Sequence, residues 1–432
     1  MTMHTDVQNV LDRIKTAQQK PSGDPRFMSL IGLEKSTFSE SASATSGLTF
    51  YDLELGAKFL YPVLTPLRNV IPRVSGKGGI QAAWRAITAI NTTGLRFGVS
   101  SANRNAVMAV TTHDYTATYK GIGVETSVDF EAQYAGQEFD DVRAVGAKTG
   151  LEALMLGEEA MILGGNADVA LAAPGAPTLA ASSTGGSLAT STQSVIAVAL
   201  TLDGIMNASV AGGVQQVIAR TNADLSTDSF GGGASYKSTS TTVPITGPTG
   251  SLTASVTPIV GALGYAWFWG LAGAEVLGAI TPINSVAITA AALGTQTAAS
   301  LAASGGINPS TNTLAFDGLI YQALASGSNS YVATQAAGTA GTGTPLTSDS
   351  AGGIVEIDAA LKSMWDNYRL SPDTMWVNSQ EALNISHKIL MGSPSGAQRF
   401  VFESPQDLVG GGIMVRTYLN RFSMQGGSVI DI

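Results

Sequence analysis

The stretch EFDDVRAVGAKTGLEALMLGEEAMILGGN, residues 138–166, decides how the rest of the chain is read. Val142, Val145, Leu151, Leu154, Met155 and Ile162 recur near the 3.6-residue period, while Arg143, Lys148, Glu152 and Glu158 face away. Gly164 and Gly165 then supply a usual C-terminal stop. The spacing predicts one helix over 138–163, roughly 39 Å long at 1.5 Å per residue, which suits a spine for the elements around it.

Upstream of that helix the period changes to two. Tyr115, Ala117 and Tyr119 alternate with polar residues, and so do Val124, Thr126, Val128 and Phe130, which predicts strands with one buried face. Between Lys77 and Met108 the chain is rich in Gly, Asn, Ser and Thr with scattered Arg, and reads as a long hairpin projecting from the body. A loop of that length inside a compact domain usually has a binding task. Val7, Val10, Leu11 and Ile14 predict a short amphipathic helix, broken by Pro21, Gly23 and Pro25. The Ser/Thr-rich arm that follows has little core of its own, so it is either disordered or laid on another surface.

Downstream, residues 167–305 carry only Asp168, Asp203, Arg220, Asp224, Asp228, Lys237 and Glu275 as charges. Short apolar or alternating runs at 195–200, 214–219, 252–256, 265–269 and 286–289 are separated by Gly, Pro and Asn. They predict an inserted β-sandwich of about a hundred residues. PGAP at 174–177 and INPSTN at 307–312 read as its two junctions. Mixed patterning returns after 350. The apolar face of Ile354, Ile357, Leu361, Met364, Trp365 and Tyr368 predicts a helix, TMWVN a short strand, and Ser379 the cap of a second helix through Ile389. Strands are expected at 416–422 and 428–432.

Composition narrows the function classes. A chain of 432 residues with 44% hydrophobic and only 13% charged residues has room for more than one core and a weakly charged surface that other subunits can cover. The absence of Cys removes disulfides, thiol nucleophiles and thiolate metal sites, and fits folding in a reducing compartment. The N-terminus has no apolar run of a signal peptide, and no segment has the ~20 apolar residues of a membrane helix. A net charge of -9 argues against gripping nucleic acid, which calls for a basic face.

Catalytic motifs are equally sparse. His4, His113 and His387 are the only histidines, and no HExxH, GxSxG or Walker A sequence occurs. GKGG at 76–79 lacks the spacing of a phosphate loop and reads as a turn. Glu158 and Glu159 are adjacent on the helix and read as a solvated face rather than an acid/base pair. Tyr265, Trp267 and Trp269 sit at alternate positions of one strand and read as sandwich core rather than a stacking platform. The expectation is a protein that is not an enzyme, with no cofactor and no metal.

Three stretches together, YKGIGVETSVDFEA at 119–132, LMLGEEAMILGGN at 154–166 and LSPDTMWVNSQEALNISHKIL at 370–390, resemble the tailed-phage major capsid family. They look like the extended-loop return strand, the spine helix with its Gly-Asn exit, and the axial-domain helix, strand and helix. The resemblance implies an α+β Hong Kong 97-like capsid fold with an inserted immunoglobulin-like or fibronectin type III-like sandwich. The implied segments are an N-terminal arm (1–50), a peripheral domain (51–166) with its extended loop (76–124) and spine helix (138–163), the insertion (167–305) and an axial domain (306–432). It also implies a virion protein, assembled in the host cytoplasm into hexamers and pentamers of an icosahedral shell. Portal, scaffold and decoration proteins would be its partners, and it would enclose double-stranded DNA without sequence-specific binding and without a membrane. The other readings are the shell of a cargo-enclosing nanocompartment and a surface adhesin, the latter disfavoured by the lack of a signal sequence.

Charge suggests how copies would meet. Residues 76–124 carry Lys77, Arg85, Arg96, Arg104 and Lys120 against Asp114, a balance of +4, whereas 125–159 has a balance of -7. Opposite fields on one chain invite pairing between copies, with Glu138, Asp140, Asp141, Glu152 and Glu158 as candidate partners of those cations.

Overall fold

A computed structural model describes residues 63–76, 78–90, 108–136, 141–222, 224–391, 415–424 and 427–432. The fold is mixed α/β, with several small antiparallel sheets and few helices among the described residues. It divides into two compact units. One holds the described residues up to Ile162 together with Ala219–Asp228, the other Leu163–Ile218 with Ser229–Ile432.

In the first unit a short helix α1 (Pro66–Val70) precedes strands β1 (Gln81–Ile90) and β2 (Val110–Thr118). These two pair antiparallel from Gln81↔Thr118 to Ile90↔Val110, with a bulge at Thr88. They form a two-stranded ribbon with no third strand among the described residues. This is the hairpin read between Lys77 and Met108, and its tip at 91–107 lies outside the described residues, as do the arm and helix read before residue 50.

Helices α2 (Phe130–Gly136) and α3 (Val142–Gly164) follow. Asp141 caps α3, its Oδ1 accepting from the Arg143 and Ala144 N–H groups at 3.1 Å. At 23 residues α3 is roughly 35 Å long. The strand expected over 124–130 is replaced by a different packing. A Cβ at Gly146 would meet Val128, one at Gly150 would lie 2.7 Å from Thr126, and one at Gly157 would lie 3.1 Å from Ile122. The alternation Ile122, Val124, Thr126, Val128 is real, but that face lies along a glycine stripe on a helix and stays largely exposed, with Ile122 and Val124 at 44% and 50%. Three helical residues without side chains let extended backbone approach this closely.

The second unit contains β3 (Thr178–Ser182), β4 (Ser191–Leu200), α4 (Leu202–Asn207), β7 (Thr241–Ile245), β8 (Ser251–Ser255), β9 (Gly264–Gly270), β10 (Val276–Thr281) and β11 (Ser285–Ile288), while β5 (Val217–Thr221) and β6 (Thr227–Gly231), which pair with each other, are divided between the units because Ala219–Asp228 falls in the first. One sheet has the order β10-β9-β4-β7 and the other β11-β8-β3. Val195, Ala197, Ala199, Tyr265, Trp267 and Trp269 from the first sheet share a core with Leu252, Ala254, Val286 and Ile288 from the second. The opposite face of β4 and β9, carrying Ile196, Val198, Leu200, Ala266 and Phe268, is covered by Val214, Ala234, Ala298 and Leu301. The four-stranded sheet is therefore a middle layer. That explains why STQSVIAVAL and GYAWFWG are nearly continuous apolar runs and do not alternate. The reading over 214–219 is displaced, since the strand begins at Val217; β3, β6 and β7, with Thr, Ser and Gly among few large apolar residues, gave too little signal to be anticipated, and β10 (VLGAIT) was missed because its apolar residues are interrupted by Gly278 at the bulge.

Both ends of this module meet in one hydrogen-bonded seam. Asn166 Nδ2 donates to Ser310 O (2.9 Å) and Val169 O (2.8 Å), and Asn166 Oδ1 accepts from Val169 N–H (3.0 Å). Asp317 Oδ1 accepts from Ala167 N–H at 2.7 Å, and Ser310 Oγ from Leu171 N–H at 2.8 Å. INPSTN lies in the seam, whereas the incoming side is 165–171, a few residues before PGAP. After the seam α5 (Leu319–Leu324) docks on the module, with the buried Tyr321 hydroxyl donating to Gly261 O at 3.0 Å.

A separate core closes the chain. Helices α6 (Val355–Tyr368) and α7 (Ser379–Met391) and the antiparallel pair β12 (Thr417–Asn420) and β13 (Ser428–Asp431) surround Ile354, Leu361, Ile385, Tyr418 and Ile430. Two readings are corrected. TMWVN forms no strand, because only Thr374 bridges to Asp431. The cap of α7 is Asn378, whose Oδ1 accepts from Glu381 N–H at 2.7 Å, because an Asn one residue earlier reaches the same donor.

Candidate functional site

The ribbon and its root hold most of the residues singled out in the sequence that can be placed. Antiparallel register puts Trp84 opposite Tyr115, Ala86 opposite His113 and Ala82 opposite Ala117. On that face Trp84 and Tyr115 stack with ring centroids 5.8 Å apart, and His113 lies 4.5 Å from Tyr115. The other face carries Arg85 and Asp114, whose carboxylate takes both Nε and Nη2 of the guanidinium. That contact holds the Asp114 carboxyl below its ordinary value.

Nearly all of β1 and β2 is exposed on both faces, with Trp84 at 52% and Ile87 at 67%. An isolated two-stranded ribbon is only marginally stable in water, so one this long with an aromatic face is suited to being covered.

The root is a carboxylate clamp. Glu159 caps α1, its two oxygens accepting from the N–H groups of Leu67 (2.9 Å) and Arg68 (2.7 Å). Glu158 takes Arg68 Nε at 2.6 Å on one oxygen and Arg73 Nη2 on the other. Hydrogen bonds from Arg73 and then Arg68 hold its carboxyl below the usual range. The expected solvated face is thus a structural contact, since two arginines and two free helix N–H groups stand within reach of it.

Among the charges read as partners between copies, Arg85 and Glu158 are thus bonded within the chain. Asp141 caps α3, and Glu152 lies 3.7 Å from Lys148 one turn away. Lys120 is exposed just after β2. Lys77, Arg96, Arg104, Glu138 and Asp140 lie outside the described residues.

Sequence reasoning missed Trp84, and Arg68 and Arg73, which lie 85 or more residues from their carboxylates; it read Tyr115 and Tyr119 as a buried strand face, whereas both are exposed because the ribbon has no sheet or helix over either side among the described residues. A lone Trp in a Gly/Thr-rich stretch was the one signal present.

Elsewhere, Trp267 and Trp269 are buried sandwich residues whose indole N–H groups donate to Thr281 Oγ1 (2.8 Å) and Ala290 O (3.0 Å). His387 lies in an open cleft between α7 and the Ile259, Tyr265 and Ile283 wall, and His4 is outside the described residues. Among the described residues no three His, Asp or Glu side chains gather to hold a metal, and no helix is long and apolar enough to cross a membrane. What the ribbon offers is burial and shape. Comparison with protein-family models, curated proteins and solved structures finds no match to this chain.

Proposed function

We propose that the chain is a shell-forming protein, the major capsid protein of a tailed phage, assembling through hexamers and pentamers into an icosahedral shell around double-stranded DNA. The observation that carries this reading is the β1–β2 ribbon. It is long, exposed on both faces, bears stacked aromatics and is rooted on a 23-residue helix. Its order in the chain, before the spine, a separately cored sandwich and a C-terminal α/β core, follows the order of the family it resembles. Covering Trp84, Ile87 and Tyr115 with a neighbouring copy would contribute roughly 1.5–3 kcal/mol for each side chain fully buried.

The clamp and the Arg85–Asp114 pair change how the contact is understood. These charges shape the chain, and burial of the ribbon supplies the main attraction between copies. Two copies related head to tail, each giving a ribbon and receiving one, form a heterologous contact that closes into rings and shells. Electron microscopy of particles containing the chain tests the reading. Tailed, DNA-filled shells support it, protein-filled shells favour a cargo compartment, and a chain that never enters particles contradicts it.

A further inference from the structure

We infer that the cleft between α7 and the sandwich is a binding site for a neutral saccharide chain, its rings resting on an aliphatic wall and its hydroxyls met by a row of amide side chains. Bonds within the chain hold the cleft in shape. The Tyr265 hydroxyl accepts from Ile259 N–H at 2.8 Å, which ties that wall to β9. On a third side Gly341 N–H donates to Ser285 Oγ at 3.3 Å, and Thr344 Oγ1 donates to Ala336 O at 2.8 Å. Gly343 is buried there, and a Cβ on it would lie 3.3 Å from Ile283.

The two main walls differ in chemistry. Pro258, Ile259, Ala262, Pro282 and Ile283 bring no polar side-chain atom to the cleft. Gln380, Glu381, Asn384, His387 and Lys388 recur at i, i+1, i+4, i+7 and i+8, one face of α7, while Ala382 and Ile385 on its other side are buried. Along that face Gln380 Nε2 donates to Asn384 Oδ1 at 3.2 Å, and Asn384 Nδ2 donates to Glu381 Oε2 at 3.1 Å. The relay orients all three side chains. Among the described residues it leaves Gln380 Oε1, Glu381 Oε1 and one hydrogen on each amide nitrogen for a ligand.

Charge and shape select the ligand class. One ammonium, Lys388, stands with one carboxylate, Glu381, so the cleft has no cluster of cations to hold a phosphate or sulfate. Tyr265, on an inner strand of its sheet, is the one strand residue of the sandwich in the lining, so an extended peptide finds no edge to join. A sugar hydroxyl both donates and accepts, as the amide row does, and the C–H faces of the rings gain from burial on Pro and Ile. At about 1180 Å³ the cleft is larger than the roughly 300–1,000 Å³ of a small-molecule pocket, which suits several linked sugars. This inference stands on the geometry of the cleft and does not rest on the shell reading.

The test titrates the full chain with cellohexaose, mannohexaose and chitohexaose, followed by saturation-transfer NMR and calorimetry. We expect at least one hexaose to bind, Asn384→Ala to weaken that binding tenfold or more, and Lys388→Gln to change it less than threefold. Asn384 is exposed and Ala favours a helix, so the variant keeps its fold, as circular dichroism checks. Binding of a sulfated hexaose alone, lost in Lys388→Gln, marks an anion site. A neutral decapeptide that binds where no hexaose does marks a peptide groove. Either result, the absence of transfer to all three hexaoses, or binding unchanged in Asn384→Ala overturns the proposal.

Discussion

Asn166 and Ser310, 144 residues apart in sequence, meet in a buried hydrogen bond from Asn166 Nδ2 to Ser310 O at 2.9 Å. The two ends of the sandwich are thereby joined at one point, as an insertion into another chain requires. Replacing residues 174–308 with a short Gly/Ser linker is expected to leave a soluble remainder with its C-terminal core intact, measured by circular dichroism and by assembly. Insolubility of every linker length would show that the module is integral to the fold. The companion substitution Asn166→Ala removes three hydrogen bonds at a buried site and is expected to cost about 2–4 kcal/mol in denaturant unfolding.

Gly278 sits at the bulge of β10, between Leu277 and Ala279, directly under the Trp269 ring, where a Cβ would overlap the six-membered ring. Trp269 cannot turn aside without losing its 3.0 Å bond to Ala290 O. Gly278→Ala is expected to lower stability by about 3 kcal/mol or more and to shift tryptophan fluorescence. An unchanged unfolding midpoint would mean that the strand relaxes freely there.

On α3, helix propensity and packing make opposite predictions for one change. Gly150→Ala gains about 1 kcal/mol by propensity in a free helix, yet its Cβ would lie 2.7 Å from Thr126 Cγ2. We expect packing to win, with Gly150→Ala less stable than the parent and Thr126→Ser, which deletes that methyl, restoring stability in the double variant. A stabilised single variant would show that residues 122–128 do not lie on the glycine stripe.

Acid should loosen the C-terminal core. Burial raises the Asp349 carboxyl, but the Ala351 and Gly353 N–H groups and Arg421 outweigh it and hold it below its ordinary value of 3.8. Asp358, in the same cluster, accepts from the Tyr418 hydroxyl at 2.8 Å. A carboxyl with a lowered folded pKa contributes stability that is fully present above the unfolded value and lost as pH falls through the folded one. The urea midpoint of this region is therefore expected to be flat near neutrality and to fall below about pH 3.8, and Arg421→Gln, which brings the folded pKa of Asp349 closer to the unfolded one, should make that fall smaller. A pH profile unchanged by Arg421→Gln would remove the cluster from the account.

Legibility followed the strength of local signals. The spine helix, α6, α7 and the aromatic strand β9 were readable because periodicity and continuous burial are local properties. The 122–128 segment kept its alternation but hid its partner, since nothing in a sequence states whether an apolar face lies on a sheet, on a helix or in solvent, and Ile122 and Val124 stay half exposed beside α3. Leu151, counted as apolar face, is 57% exposed, whereas Glu158, counted as solvated, is bonded to two arginines. In both cases long-range contacts decided the outcome. The charge asymmetry was legible as composition, but Arg85 meets Asp114 through hairpin register, which composition does not encode.

The central claim is that the exposed ribbon exists to be covered by another copy. The most direct measurement compares the full chain with Trp84→Ala/Tyr115→Ala by sedimentation velocity and electron microscopy under conditions that yield assemblies. The account predicts closed shells from the parent, while the double variant stays folded and small because the aromatic face no longer repays its burial. Parent chains that remain monomeric throughout, or double variants that form the same shells with the same midpoint concentration, would contradict it.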